Sequence, residues 1–301
     1  MSAPGKTAVL LLAHGSPDSV DEIPEFLRNV TSGRTVSPEV VNEVKHRYGL
    51  IGRSPLTELT LQQGDLLRRE LNLPVYVGMR NWKPFIADTL RRIREDHVKR
   101  LIAICLAPQN SRTSVGLYRA ALNTGDAQAF AIYFVESWHN HPLLINAFAE
   151  KLRTGWESAC RDLGAQLPVI FTAHSVPVYT IEKGRDPYER QAKETAALVA
   201  REVSVPPENW TLAFQSQGFS GTTWLGPTVE DAILEAQGNA NRAVFVQPIG
   251  FLCDHVEVLY DIDIGFRHFA EQHGMRLWRA ESLNDSPLLT AALADLVRSR
   301  L

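Results

Sequence analysis

Short apolar runs alternate with longer segments of helical periodicity along the chain, and this alternation restricts the fold more than any other feature. A short apolar run predicts a buried strand, and apolar residues three or four apart predict a helix. Strands that alternate with helices favour parallel sheets with right-handed crossovers and helices on both faces. The sequence therefore predicts an α/β protein with strands at 8–13, 74–79, 100–106, 130–135, 167–172, 210–215, 243–249 and, with a weaker pattern, 275–279.

Helical periodicity fills the segments between and after these strands. In the last third of the chain it predicts one long helix without a break over 254–272. The predicted helices lie near 19–30, 38–48, 56–72, 84–97, 113–124, 142–164, 187–203, 228–238, 254–272 and 286–300.

The first and fifth predicted strands end in the same motif, Ala-His-x-x-Pro, which contains His14 and His174. Titratable side chains at the carboxyl ends of strands lie where open α/β sheets bind ligands. The repeat predicts two similar halves that face one another, each with a histidine directed to a shared cleft. We place the boundary near the middle of the chain. The domains are then 1–141 and 142–281, with a final helix in 282–301 that packs back on the first domain.

Composition excludes several classes of protein. The chain has 301 residues, 45% of them hydrophobic, and a formal net charge of −3, which gives no support to a nucleic-acid partner. Cys105, Cys160 and Cys253 form no Cys-x-x-Cys pair, so we expect neither disulfides nor an iron–sulfur cluster. Unpaired cysteines fit the reducing cytoplasm. We expect no signal peptide and no transmembrane segment, because no apolar run approaches roughly 18 residues.

Neither half has a glycine-rich phosphate loop after its first strand, which argues against dinucleotides and ATP. The turns after the strands contain histidine, serine, arginine and aromatic residues instead. His14 is followed by Gly15, which allows a tight turn. Its side chain is read either as a contact to a bound molecule or as a turn histidine that bonds to the backbone.

Arginines and hydroxyls form two candidate binding segments in the first half. Arg47 and Arg53 flank a loop that ends at Ser54, and guanidinium groups bind carboxylates in a bidentate geometry. The alternative is that these arginines are solvated. The second segment follows the third strand and contains Ser111, Thr113, Ser114 and, one helical turn later, Tyr118. Its hydroxyls either cap the next helix or bind a carboxylate at the helix N-terminus.

An acidic segment follows the seventh strand. On a continuous helix Asp254, Glu257 and Asp261 lie on one face, where like charges disfavour the helix unless a cation or a protonated histidine is near. Such carboxyls suit a hydrated metal, and in apolar surroundings a raised pKa allows proton exchange near neutrality. The alternative is a solvated acidic face. The loop 215–227, with Trp224, is either a flat aromatic surface or a packed connector.

Taken together, these motifs resemble the ferrochelatase family, which inserts ferrous iron into porphyrins, and the resemblance covers nearly the whole chain in order. The matching motifs are Thr172-Ala-His-Ser-Val-Pro177, Gly250-Phe-Leu-Cys-Asp-His-Val-Glu257 with Val258-Leu-Tyr-Asp261, Gly78-Met-Arg-x-Trp82, Gly184-Arg-Asp-Pro-Tyr188, Gln215-Ser…Trp224-Leu-Gly-Pro227 and, more weakly, Ser282-Leu-Asn-Asp285. The resemblance implies two Rossmann-like domains whose parallel sheets face a central porphyrin cleft.

The resemblance also implies roles for single residues. His174 and Glu257 face each other across the centre of the macrocycle as catalytic residues and metal contacts. His174 accepts a pyrrole proton or holds the incoming iron, and both roles stay open. Glu257 assists proton removal, and Asp254 and Asp261 belong to a proton or metal path. The remaining candidates, Arg47, Arg53, Ser54, Ser111, Thr113, Ser114 and Tyr118, bind the substrate together with His14.

Three positions depart from the family pattern. Gly265 lies one turn beyond Asp261, where the family often has a further acidic residue, and this puts an outer metal site in doubt. The loop before Ser54 has one glycine where two are usual. His14 stands where related enzymes commonly have a tyrosine that ligates product iron. Since imidazole also binds iron, we predict that His14 approaches the metal from the face opposite His174.

The segment from Leu106 resembles the coproporphyrin III branch, so we expect coproporphyrin III as substrate and coproheme as product of this lyase of heme biosynthesis. Protoporphyrin IX is the alternative substrate. A tetrapyrrole carrier without turnover is the alternative of another class, and a cobalt or nickel chelatase and a two-domain solute-binding protein are further rivals. Fe²⁺ is expected as substrate, with no tightly bound cofactor. We expect a cytoplasmic monomer that contacts the preceding and following enzymes transiently.

Overall fold

A computed structural model describes residues 6–123, 125–183, 185–218 and 221–301. The chain divides into two compact units. The first holds Met1–Pro108, Thr113–Ser137 and Thr290–Leu301, and the second holds Gln109–Arg112 and Trp138–Leu289. The change of unit at 137/138 lies four residues before the predicted boundary, and the excursion of Gln109–Arg112 into the second unit has no signal in the sequence.

The first unit contains a four-stranded parallel sheet in the order β2-β1-β3-β4. All seven residues of its central strand β1 are apolar or threonine, and Ala8–Leu12 are fully buried, as expected for a strand covered on both faces. The strands are β1 Thr7–Ala13, β2 Val75–Met79, β3 Arg100–Cys105 and β4 Ala131–Val135; the helices are α1 Ile23–Val30, α2 Pro38–Ile51, α3 Leu56–Leu71, α4 Ile86–Glu95 and α5 Val115–Ala121.

The second unit repeats this plan with a parallel sheet in the order β6-β5-β7-β8. Its strands are β5 Val169–His174, β6 Trp210–Gln215, β7 Ala243–Pro248 and β8 Arg276–Arg279; its helices are α6 Pro142–Leu163, α7 Val178–Glu182, α8 Tyr188–Val203, α9 Val229–Gly238, α10 Val256–Leu259 and α11 Arg267–Gln272. The predicted α/β class and all eight predicted strands are confirmed, with each strand end within two residues of its expected position.

The last helix, α12 (Pro287–Arg298), begins in the second unit and continues into the first. Within the first unit, Arg298 donates to a Glu70 carboxylate oxygen at 2.7 Å, and Arg100 donates to the backbone oxygens of Arg300 and Leu301. The chain end is therefore tied to α3 and β3 of the first unit.

Two helical predictions are wrong. The five-residue helix α7 was missed, because one turn is too short to show a 3.6-residue period. The predicted helix 254–272 is three pieces, since a π-helical segment, Asp261–Phe266, separates α10 from α11. Gly265 donates to the Tyr260 carbonyl five residues earlier at 2.9 Å. A pattern of apolar residues cannot reveal the extra residue of a π-helical turn, because α-helical and π-helical segments both bury one apolar face.

The strand order places the two repeated histidines at equivalent positions. In each sheet the first strand of the unit, β1 or β5, lies at the point where the strand order reverses. Open α/β sheets bind ligands outside the carboxyl ends of the strands at this reversal. His14 directly follows β1 and His174 is the last residue of β5. The topology thus supports the inference that the Ala-His-x-x-Pro repeat marks a functional edge.

Candidate active site

His174 and Glu257 come together in the second unit. His174 Nε2 lies 3.7 Å from Glu257 Oε1, and the two side chains are 39% and 31% exposed. His174 ends β5, whereas Glu257 is the second residue of α10, which follows the loop after β7. Because β5 and β7 are neighbours in the sheet, their carboxyl ends bring residues that are far apart in sequence to one place.

The tautomer of His174 follows from its backbone contact. Its Nδ1 lies 2.5 Å from the Ser175 carbonyl oxygen, and a carbonyl only accepts hydrogen bonds. Nδ1 therefore carries the hydrogen, and in the neutral imidazole Nε2 presents a lone pair towards Glu257. Two acceptors thus face each other, and a proton donor or a cation that enters between them stabilises the arrangement.

A second histidine, His255, approaches the other oxygen of the same carboxylate, and sequence reasoning gave it no role. His255 Nε2 lies 3.6 Å from Glu257 Oε2, and its Nδ1 lies 3.1 Å from the Cys253 carbonyl. Its ring packs on Phe251 with centroids 4.6 Å apart. Its position two residues before Glu257 was the available signal. Glu257 is therefore flanked by two imidazoles whose Nδ1 atoms both bond to the backbone.

Polar side chains beneath the pair fix the backbone that carries it. Tyr188, on α8, donates to the His174 carbonyl at 2.8 Å. Burial raises the pKa of Tyr188, and the negative charges of Glu257 and Asp186 raise it further, so the phenol stays protonated as a donor. Ser175 is fully buried and donates to the Leu225 carbonyl at 2.7 Å.

Gly250 permits the loop after β7 to cross the end of β5. A Cβ atom at this position would lie 2.9 Å from the Cβ of Ala173 and 3.0 Å from its Cα. Real Cβ atoms do not approach so closely, so the backbone of a larger residue would have to move away from the strand that ends in His174. The glycine of the motif is thus required for the geometry of the site.

Asp254 does not lie on one helix with Glu257 as predicted. Asp254 precedes α10, and its carboxylate accepts from Ser282 at 2.7 Å and Asn284 at 3.0 Å. Asp261 begins the π-helical segment, is 8% exposed, and accepts from Ser216 at 2.5 Å. The prediction failed because the helix starts at Val256 and its period changes after α10.

Arg279, which the sequence analysis did not single out, is a cation beside this acidic segment. Arg279 ends β8 and is 13% exposed. It donates to both oxygens of Asp263 at 2.8 Å and lies 3.4 Å from Asp254 Oδ1. Arg279 therefore connects the two segments that precede and follow Glu257 to the end of the sheet.

Most of the remaining candidate residues lie in the first unit. His14 is exposed; its Nδ1 lies 3.0 Å from the Gly15 carbonyl and its ring packs edge-on against Phe26. Arg47 bonds to Glu43 at 2.8 Å and Arg53 to Asp18 at 3.3 Å. Both arginines thus have acidic neighbours on the surface of this unit.

Among the hydroxyl-bearing candidates of the first unit, Ser54 and Tyr118 are buried, whereas Thr113 is exposed. Ser54 is 2% exposed and its Oγ has no hydrogen-bond partner among the described residues. Ser114 precedes α5 without capping it through its side chain, and Thr113 lies directly before it. Tyr118 is 6% exposed, and burial raises its pKa.

Ser111 belongs to the second unit, where its Oγ donates to Asp186 Oδ2 at 2.9 Å. The same carboxylate oxygen accepts from the Arg112 amide at 2.7 Å. Ser111 therefore anchors its own loop. In the motif that contains Asp186, Gly184 lies outside the described residues, as do Phe219 and Ser220 of the loop before Trp224. Within that loop Leu225 is buried and donates to the Val176 carbonyl at 2.9 Å, whereas most of the other described residues are exposed.

Comparison with known proteins decides the family. A sequence model of the ferrochelatase family matches residues 6–301. The chain belongs to the ferrochelatase family. It is 55% identical to the ferrochelatase of Acidobacterium capsulatum, with 98% of this chain and 95% of that protein covered. It is 34% identical to the coproporphyrin III ferrochelatase of a Geobacillus species, with 98% of each chain covered.

Solved structures agree on the fold. The sirohydrochlorin chelatase SirB from Bacillus subtilis, solved with Fe³⁺, is 12% identical and superposes with a TM-score of 0.57 over 98% of this chain and 95% of that one. CbiX, described as the terminal enzyme of siroheme biosynthesis in denitrifying bacteria, is 15% identical with a TM-score of 0.51, over 98% and 99% of the chains. At these identities the similarity establishes the two-sheet architecture of the ferrochelatase fold.

The described part of the chain holds no group of three or more histidine, cysteine or acidic side chains arranged to bind a metal ion. Among the same residues, no helix has the length and hydropathy needed to cross a bilayer. In a ferrochelatase, iron is a substrate that passes to porphyrin nitrogens.

Proposed function

We propose that this ferrochelatase inserts Fe²⁺ into coproporphyrin III to give coproheme. The observation that carries iron insertion is the pair His174–Glu257, whose two acceptor groups face each other across 3.7 Å at the strand reversal. Metal entry releases two protons from the pyrrole nitrogens, so bases near the ring centre are required. The pair supplies both an imidazole and a carboxylate.

The roles of the residues follow from their positions. His174 Nε2 accepts a pyrrole proton or holds the iron before transfer, because its Nδ1 is committed to Ser175. Glu257 accepts the second proton, and His255 Nε2 lies 3.6 Å from its other oxygen. Asp261, held by Ser216, lies further along the same segment as a later acceptor. Asp254 serves the path indirectly by fixing the loop before α10.

Two observations support coproporphyrin III over protoporphyrin IX. The relative from Geobacillus is named for coproporphyrin III and is similar over almost its whole length. The first unit also offers cationic and hydroxyl groups suited to propionates: Arg47, Arg53, Thr113 and Ser114. Ser54, Tyr118 and Ser111 fit this role less well, because the first two are buried and Ser111 bonds to Asp186.

Fe²⁺ insertion followed by absorbance under anaerobic conditions tests the proposal, with coproporphyrin III and protoporphyrin IX assayed side by side. We expect rapid metallation of coproporphyrin III and slow metallation of protoporphyrin IX. Preference for protoporphyrin IX would contradict the substrate assignment alone. Binding of both porphyrins without metallation would favour the non-catalytic carrier.

We further propose that the enzyme needs no resident cofactor and acts as a cytoplasmic monomer with transient contacts to neighbouring enzymes of heme synthesis. No disulfide joins its three cysteines, which suits a reducing compartment. An iron–sulfur cluster held by four thiolates needs more cysteines than this chain has. Elemental analysis of the purified protein and its mass in solution test these points.

A further inference from the structure

Gln215 is linked to both members of the catalytic pair, His174 and Glu257. It ends β6, next to β5, and its register partner is His174. Its backbone carbonyl accepts from the Ser175 amide at 2.7 Å. Its side-chain Nε2 donates to the backbone carbonyl of Glu257 at 2.6 Å, and its Oε1 accepts from Thr172 Oγ1 at 2.9 Å. The side chain is 2% exposed.

The partners determine which way the amide points. The Glu257 carbonyl only accepts hydrogen bonds, so the NH₂ group of Gln215 must face it. This leaves Oε1 for the hydroxyl of Thr172, which is fully buried on β5. Because both amide atoms have partners, the side chain has one orientation, and the three residues form a fixed link from β5 through β6 to α10.

Glu257 needs such a link because its own helix is short. α10 has four residues, and a helix of one turn leaves its carbonyls to find partners elsewhere. The π-helical segment that follows gives no regular continuation. We propose that Gln215 is a positioning residue that sets the separation of His174 and Glu257 by holding the Glu257 backbone. This inference rests on the proposed role of the pair in iron insertion.

Substitution of Gln215 tests the inference without touching either catalytic side chain. Gln215→Met keeps the length and removes both hydrogen bonds. Since displacement of about 1 Å costs up to about a hundredfold in rate, we expect kcat to fall about tenfold to a hundredfold. The KM for porphyrin should stay within about twofold, because no substrate contact is removed. Gln215→Glu keeps the acceptor for Thr172 but places an oxygen against the Glu257 carbonyl, so its loss should be at least as large.

Gln247 provides a matched control on the adjacent strand β7. It is fully buried, and its Nε2 donates to the Pro248 carbonyl at 3.1 Å. Gln247→Met removes an equally buried amide whose hydrogen bond among the described residues goes to its own neighbour, Pro248. Because its Oε1 has no partner among these residues, we expect a smaller decrease in Tm and a kcat within about twofold of wild type.

Thr172→Val serves if Gln215→Met does not fold. It removes the hydroxyl that orients the amide, and we expect kcat to fall about fivefold with KM unchanged. The inference is overturned if the Gln215 variants keep wild-type kcat while Glu257→Gln, in the same assay, is inactive; the proposed function then stands. It is also overturned if the Gln215 and Gln247 variants lose kcat equally. An active Glu257→Gln would leave iron insertion standing but would overturn the role of Glu257 as the required base, and the inference with it.

Discussion

His174 Nε2 and Glu257 Oε1 lie 3.7 Å apart, which is beyond the range of a hydrogen bond between them. The gap matters because a direct bond would trap a proton within the pair. At this separation a third partner can bind between the two groups. A pyrrole nitrogen and a ferrous ion are partners of this kind, since one gives up a proton and the other accepts lone pairs.

Glu257→Gln should abolish iron insertion and preserve porphyrin binding. The amide keeps the shape of the side chain but accepts no proton, so we expect kcat to fall by about a hundredfold or more. Porphyrin binding, followed by fluorescence quenching, should change by less than about threefold.

Glu194→Gln is the matched control, because Glu194 also pairs with a histidine of the second unit. Its Oε2 lies 3.0 Å from His139 Nε2, but it has no contact with the catalytic pair. We expect wild-type kcat. A Glu257 variant that retains kcat would exclude the carboxylate as proton acceptor.

His14→Ala should alter the absorption spectrum of the product complex. His14 and His174 use the same local arrangement, in which Nδ1 bonds to the carbonyl of the next residue. The neutral ring of His14 therefore also directs Nε2 away from its own backbone, and imidazole nitrogen ligates iron. We expect the Soret and visible bands of bound iron porphyrin to shift in the variant. An unchanged spectrum would rule out His14 as an iron ligand.

Gly250→Ala should destabilise the second unit and slow catalysis. The added methyl would overlap Ala173, beside His174, and overpacking of this kind costs about 1–3 kcal/mol. We expect a lower free energy of unfolding in urea and a lower kcat, because the strand end or the loop must move.

Gly49→Ala gives the opposite result and serves as control. Gly49 lies within α2, and nothing lies within 4 Å of its added Cβ. Alanine there should stabilise the helix by about 0.5–1 kcal/mol. If Gly250→Ala and Gly49→Ala changed the free energy of unfolding equally, the backbone at Gly250 would have moved away from Ala173 at no cost.

Much of this architecture could be predicted because it follows from local patterns. Each buried strand is a continuous apolar run, and the Ala-His-x-x-Pro repeat identified both β1 and β5. The sheet order, by contrast, depends on pairing between distant strands. The position of Gln109–Arg112 in the second unit depends on Asp186 and Gln191, whose bonds to this segment have no local signal.

The residues of the candidate site also fall into those that a local motif indicates and those that only the structure reveals. His174 and Glu257 belong to long motifs and were found. Gln215, Ser216 and Arg279 act through partners about 40 residues or 16–25 residues away, so their roles required coordinates. The π-helical segment was missed for a related reason. Its carboxylates bond to Ser216 and Arg279, which are distant in the sequence, and the apolar period of the helix gives no sign of these contacts.

Arg279→Met should destabilise the second unit strongly. It would leave Asp254 and Asp263 without their shared cation, and removal of one partner of a buried ion pair costs about 3–5 kcal/mol. Because these carboxylates are 21% and 26% exposed, we expect a smaller cost than this, about 2–3 kcal/mol. Urea unfolding measures the change.

The exposed pair Arg68–Asp65 provides the comparison. Its atoms lie 2.9 Å apart, and both side chains are more than half exposed. Arg68→Met should change the free energy of unfolding by at most about 0.5 kcal/mol. Similar losses for the two arginines would mean that the network around Arg279 adds nothing beyond a surface pair.

Tyr188→Phe should make the protein less sensitive to alkaline pH. Burial raises the pKa of Tyr188 in the folded state, whereas the unfolded chain deprotonates near pH 10. Above that pH the unfolded state binds fewer protons than the folded state, so stability falls as pH rises, by about 1.4 kcal/mol per pH unit for this group. Tyr118 and Cys105, whose pKa values burial also raises, add to the same loss.

The variant loses the hydrogen bond to His174, which should cost about 1 kcal/mol at neutral pH. Between about pH 10 and 11, however, the slope of unfolding free energy against pH should decrease by the equivalent of one proton. Equal slopes for wild type and Tyr188→Phe would show that the Tyr188 phenol ionises within the folded protein, and that the donor to the His174 carbonyl is lost at high pH without unfolding.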